Sequence, residues 1–285
     1  MIALTSRLAL CLASISCAAA LSAATYRVQV DGFTTGEPDM DGGGEVQTRQ
    51  AGVSFGVDAG DYRQGGLYAG ELGYSLRHYD VSDWDYEGDF EQMGLSLRYA
   101  TQLQGRWGLT GFGAASFGQG EEGDWGEGGR YMVAALADYS FSPTLTVSFG
   151  AAYMTRLGES NRVLPLVAIR WQIDGRWALR TYDGVYVSYD VTGDGQQSLE
   201  LFAKWQSDTY SVGEAPNGRE SYLDDEGFLA GVAYKVALPS GFAVRPYAGY
   251  WFSRDMEVRD EDERTLIKRD IDDTWLLGVT ASLEF

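Results

Sequence analysis

Apolar side chains recur at every second position in segment after segment of this 285-residue chain. From Thr274 to Phe285, one parity carries Trp275, Leu277, Val279, Ala281, Leu283 and Phe285, and the other is mostly small or polar. Phe228, Ala230, Val232, Tyr234, Val236 and Leu238 repeat the pattern, as do Leu145 to Tyr153, Tyr131 to Phe141 and Met93 to Leu103. A strand sends alternate side chains to opposite faces, so each run presents one greasy face and one wet face. No window of similar length keeps helical spacing. The chain must therefore fold as β-sheet with a large, continuous apolar surface.

Composition narrows what can cover that surface. Lys and Arg total 22 against 41 Asp and Glu, a net charge of −19, so no basic groove awaits nucleic acid. With 45% hydrophobic residues this is not a disordered acidic chain. A single histidine, His78, and two cysteines, Cys11 and Cys17, exclude a disulfide framework and a Cys/His zinc centre. Residues 1–24 have the build of a secretory signal peptide: Arg7, an apolar stretch from Leu8, then Ser22-Ala23-Ala24 before Thr25. Cleavage there removes Arg7 and both cysteines and leaves 25–285 as one domain. Cys17 as a lipidation site is the weaker alternative, because Ser14-Ile15-Ser16 lacks the aliphatic residue expected three before it. No later stretch is long and apolar enough for a membrane helix, which leaves an exported soluble sandwich or a closed membrane β-barrel.

Turn signals favour the barrel, while the sandwich would require the greasy faces to bury each other. Tight turns at Gln104-Gly105-Arg106, Ser142-Pro143-Thr144, Asp174-Gly175-Arg176, Gly193-Asp194-Gly195 and Pro239-Ser240-Gly241 largely alternate with longer acidic connections over 81–89, 118–130, 208–227 and 258–273. Long loops at one end and short turns at the other characterise a membrane barrel. The parity predicts strands near 26–33, 46–58, 66–80, 91–104, 107–118, 131–142, 145–156, 163–173, 176–182, 185–192, 198–207, 228–238, 244–257 and 274–285. That makes 14, or 12 without the first and the short 176–182 piece, and leaves no segment for a plug. Trp107, Tyr139, Phe141, Trp171, Trp205, Phe252, Trp275 and Phe285 fall near strand ends, where aromatic rings suit the edge of a bilayer.

The last strand, with apolar residues at 277, 279, 281 and 283 ahead of the terminal aromatic Phe285, resembles the closing signature of Gram-negative outer-membrane β-barrel proteins. The resemblance implies an all-β, antiparallel up-and-down transmembrane barrel of 12–14 strands in the bacterial outer membrane. It also implies lipid and lipopolysaccharide around it, and Leu283 and Phe285 read by the barrel-assembly machinery. It identifies a class and not a solute; the size is that of the small barrel families.

Charges avoid lipid, so Glu71, Arg77, Arg98, Asp138, Arg170, Asp190, Glu200, Lys204, Lys235 and Arg245 are expected to line the lumen. Twelve to fourteen strands enclose more than side chains alone fill, which favours a passive porin-like channel for small hydrophilic solutes or ions. The alternative is a closed structural or surface-binding barrel in which those charges pair across the lumen. Carboxylate clusters at Asp83 to Asp89, Glu121 to Glu127, Glu220 to Glu226 and Asp260 to Asp273 suit divalent cations or a merely solvated surface. No calcium-loop consensus and no cofactor motif is present. His78, with Asp80 and Ser82 on the same strand face, is too widely spaced for a triad without reorientation, so no enzyme activity is expected.

Overall fold

A computed structural model describes residues 24–63, 66–82, 88–156, 159–214 and 218–285. The proposed signal peptide lies outside them, apart from Ala24, as do Asp83, Asp85 and Glu87. The strands are β1 (Ala24–Thr35), β2 (Val46–Asp61), β3 (Gly66–Val81), β4 (Gly88–Gln102), β5 (Trp107–Gln119), β6 (Gly129–Ser142), β7 (Leu145–Arg156) and β8 (Glu159–Gln172). Then come β9 (Trp177–Thr181), β10 (Gly184–Asp190), β11 (Gln197–Glu214), β12 (Glu220–Ala237), β13 (Phe242–Asp260), β14 (Thr265–Ile271) and β15 (Thr274–Glu284).

From β1 to β14 each strand pairs antiparallel with its sequence neighbour, β15 pairs with β13, and β1 pairs with β15, so the sheet closes on itself. β14 and β15 both pair with β13, the first along Arg254–Arg259 and the second along Phe242–Trp251, so together they are one interrupted stave. The result is an all-β, closed, 14-strand up-and-down barrel. Closure satisfies the backbone in a medium without water.

The greasy parity faces out. Val30, Leu97, Val133, Phe149, Val167, Leu201, Leu277 and Phe285 all stand exposed, which overturns the sandwich alternative: those rows are not buried between two sheets. Trp107, Phe141, Trp171, Trp205 and Trp275 are exposed on the same outer surface. This is the architecture of a bacterial outer-membrane protein, with tight turns toward the periplasm and longer connections outside.

Two expectations need correction. The segments 208–227 and 258–273 are not simple loops. β11 and β12 each run 18 residues and β13 runs 19, well past the greasy belt, and 265–271 returns as β14. The pairing Asp208↔Asp225 to Glu214↔Glu220 continues the hairpin through residues whose polarity reads as loop. Nor does the lack of a plug segment leave the lumen open at its outer end. Met40 from the first loop joins Val46, Tyr79, Val81, Phe90, Tyr210, Leu223, Met256, Val258 and Ile271 in a dry core inside the outer end. Inward side chains of overlong strands fill the mouth, so no separate plug segment is required.

Candidate functional site: a capped lumen

Below that dry core lies a layer of buried charge. The Arg77 guanidinium donates from Nη2 to Asp208 Oδ2 at 2.7 Å and from Nη1 to Asp225 Oδ2 at 3.1 Å. Arg254 grips the same Asp225 twice, from Nε to Oδ1 at 2.8 Å and from Nη2 to Oδ2 at 3.0 Å. Tyr79 donates its hydroxyl to Asp225 at 2.7 Å, Gln50 accepts from Arg77, and Arg254 also reaches Thr48. Asp225 and Arg254 side chains are wholly buried, and Arg77 is 2% exposed. Two guanidiniums and two carboxylates balance formally. Such a cluster holds only while complete, since removing one partner strands the others in a dry site.

Why these strands supply it follows from register. Asp208 and Asp225 are paired across β11 and β12, Asp225 is opposite Met256 on β13, and Arg77 is opposite Gln50 on β2. The ion pairs therefore tie β3 to β11, β12 and β13 across the interior, and hydrogen bonds to Gln50 and Thr48 bring in β2. Above them Asp224 is held by Arg259 and by the Thr209 hydroxyl.

Under the charged layer is a cavity of about 440 Å³. Its aromatic wall includes Phe33, Tyr186, Phe202, Tyr247 and Trp251, and its polar wall includes Asp31, Gln50, Arg180, Lys204, Gln206 and Arg245. Glu200 braces two of the cations, accepting from Arg245 at 2.6 Å and from Arg180 at 3.0 Å. Arg245 lies over the Phe202 and Tyr247 rings, and Arg180 over Tyr186 at 4.5 Å. The cavity descends from Trp251 and Leu276 to Gln29 and Thr280, with the largely exposed Arg180 on its wall.

The residues expected to line the lumen do not form one site. Arg77 belongs to the charged layer. Glu200, Lys204 and Arg245 meet at the cavity. Glu71 pairs with Arg27 at 3.1 Å. Arg98 lies over the Tyr182 ring, and Asp138 is buried with the Thr110 hydroxyl donating to it. Arg170 is opposite Arg180 between β8 and β9. Asp190 accepts from the Gly193 and Gly195 amides in a periplasmic turn, and Lys235 stands exposed opposite Ser198. His78 meets Asp89 at 2.8 Å on the exposed outer rim, not Asp80.

Sequence reading missed Asp208, Asp225 and Arg254, the centre of the layer. In sequence Asp225 reads as part of an acidic loop, together with Glu220, Asp224 and Glu226; all four are in β12. The missed signal was an acidic stretch facing arginines on neighbouring strands. Among the described residues no three His, Cys, Asp or Glu side chains converge as a metal site would.

A family model described as a domain of unknown function, DUF6268, matches residues 75–280. No curated protein matches the chain in sequence. Among solved structures, the chain is similar to a deltaS2 mutant of the TodX monoaromatic hydrocarbon channel, at 9% identity and a TM-score of 0.48, covering 93% of this chain and 91% of that one. It is similar also to the translocator domain of the autotransporter NalP from Neisseria meningitidis, at 14% identity and a TM-score of 0.45, over 99% and 96%. The NanC porin aligns at 12% identity and a TM-score of 0.38, over 88% and 98%.

Proposed function

The chain belongs to the DUF6268 family, and we propose that it is an outer-membrane barrel that admits small hydrophilic anions to its lower lumen while its outer mouth stays shut. The observation that carries the reading is the double closure of the outer half, a dry core stacked on a complete buried ion cluster. Free passage of solute, as in an open porin, requires that layer to part. The solute class follows from the cavity wall. Arg180, Lys204 and Arg245 outnumber Asp31 and Glu200, and Lys204 makes no ion pair among the described residues. Aromatic faces beside those cations suit a flat, negatively charged molecule.

Planar-bilayer recording of the refolded protein tests this. The wild type is expected to be silent at low voltage, and Asp225→Ala to give discrete, anion-preferring steps. Sustained large steps from the wild type would restore the passive open-channel reading and overturn this one.

A further inference from the structure

Most of the cylinder follows one rule, apolar outside and polar inside. Stretches of β6 and β8, just below Arg130 and Arg162 at the strand tops, break it. Residues 131–137 and 163–169 carry only apolar or aromatic side chains, so both faces are greasy there. Tyr131, Val133, Val163 and Val167 take the outside, at 51%, 58%, 69% and 69% exposure. Alternation then sends Met132, Leu136, Met154, Leu164 and Leu166 inward. Further down, the same inner face turns polar again at Asp138, Ser148 and Arg170. Leu164, although inside the cylinder, is 41% exposed, so it borders a space and is not packed away.

The wall beside that space is incomplete. β8 pairs with β9 only through Arg170↔Arg180, Trp171↔Leu179 and Gln172↔Ala178. The β9–β10 hairpin then turns back at Tyr182 and Asp183, after strands of 5 and 7 residues, about half of what crossing a bilayer takes. Beyond it, β11 continues upward and leans to β5. Ser211 bridges Gln119, and the Gly120 amide donates to the Ser211 carbonyl at 2.7 Å. A β-carbon at Gly118 would lie 2.4 Å from the Thr209 carbonyl oxygen, so only glycine allows this approach. Among the described residues no strand stands between 163–168 of β8 and 205–211 of β11. The opening has the hairpin tip below it and the β5–β11 crossing above.

Its free edge is built to stay free. Odd residues of β8 aim their backbone groups toward it: the Ile169 amide donates to Thr181 Oγ1, and the Ile173 amide, just past the strand, to the Trp177 carbonyl. At Pro165 that direction has no N–H at all, which reduces the orphaned donors and spoils the edge for a strand from another chain. Outside the edge is membrane. Inside it the β6–β8 wall offers no charge to a hydrophilic solute between Met132 and Leu136, or between Leu164 and Ala168.

We propose that this opening admits a hydrocarbon chain of a surrounding membrane lipid, which lies against Leu164, Leu166, Met132 and Met154 behind the wall. The inference is independent of whether the lumen conducts. Single cysteines placed by Leu164→Cys, Met132→Cys, Val163→Cys and Asp138→Cys, each spin-labelled in the chain from Thr25 to Phe285, which lacks Cys11 and Cys17, and refolded into phosphatidylcholine vesicles, test it by collision with oxygen and with a water-soluble nickel chelate. In such vesicles lipid is the only hydrocarbon. The labels at 164 and 132 are expected to match the lipid-facing 163, colliding several-fold more with oxygen than with nickel, while 138 stays low in oxygen. Preferential nickel collision at 164 and 132 would make the space aqueous, and low collision with both reagents would make it packed. Either result overturns the proposal. The two inner positions are independent reporters, so misfolding of one variant leaves the other to decide.

Discussion

The β11–β13 sector and the β7–β9 sector belong to one cylinder and differ in almost everything. The first overshoots the membrane with strands of 18 and 19 residues and points charge inward, where Asp208, Asp225 and Arg254 lock to Arg77. The second contains a stave of 5 residues and a β8 apolar on both faces over 163–169. The contrast teaches that the inner face of a barrel reports what fills it. In the first sector side chains from across the lumen, charged in one layer and apolar in the next, meet and fill the interior; in the second a greasy inner face borders unfilled space.

The sharpest way to break the comparison is Asp225→Ala. It leaves Arg77 and Arg254 facing each other with one carboxylate between them, and is expected to destabilise the closed barrel by about 3–5 kcal/mol, measured as a lower midpoint in urea unfolding. An unchanged midpoint would mean the cluster is not what couples β3 to β12. Gly118→Val comes next. The added side chain pushes β11 off β5, for a loss of roughly 1–3 kcal/mol and wider lateral access, read by the oxygen collision rate at position 164. Smaller still in stability, but diagnostic for the lumen, is Lys204→Glu. In the conducting Asp225→Ala background it is expected to shift preference from anions toward cations, measured as a reversal potential across a salt gradient.

The smallest effect lies in a periplasmic turn. Asp174 accepts from the Arg176 and Trp177 amides, each at 2.7 Å, and these bonds hold its carboxyl below the usual carboxylate range. A lowered carboxylate stabilises the fold above its ordinary range and loses that contribution as pH falls through its lowered value. Asp174→Asn should therefore melt slightly below wild type at neutral pH and equal it in strong acid.

The staves, their parity and the closing strand are legible in the sequence, because lipid on one side enforces a period of two. Strand 145–156 is read to the residue. What stays hidden is whatever the period does not encode. Asp224 and Asp225 read as loop because acidity usually means solvent, and only the arrival of Arg254, Arg259 and Arg77 from other strands makes them interior. The ten expected lumen residues scatter over several environments for the same reason: alternation gives a side chain's direction, not the partner it meets. The 163–169 run is visible as an unbroken apolar stretch, yet its neighbour's shortness is a matter of turn placement at Tyr182 and Asp183.

The seam between the first and last staves joins the extremes of the chain, Arg27 to Glu284 at the bottom and Thr35 to Leu276 higher up. Above the break at Asp272 and Asp273 it is fastened a second time, where Met40 bridges Ile271 and the Asp41 amide donates to the Asp270 carbonyl at 2.9 Å. Contacts here span about the whole length of the described chain, so closing this joint carries the largest loop-closure cost of any pairing in the sheet. A cylinder still unzipped there would keep its mouth unfilled as well, because Met40 and Ile271 belong to both. Sealing the side and stoppering the top are thus a single act of assembly.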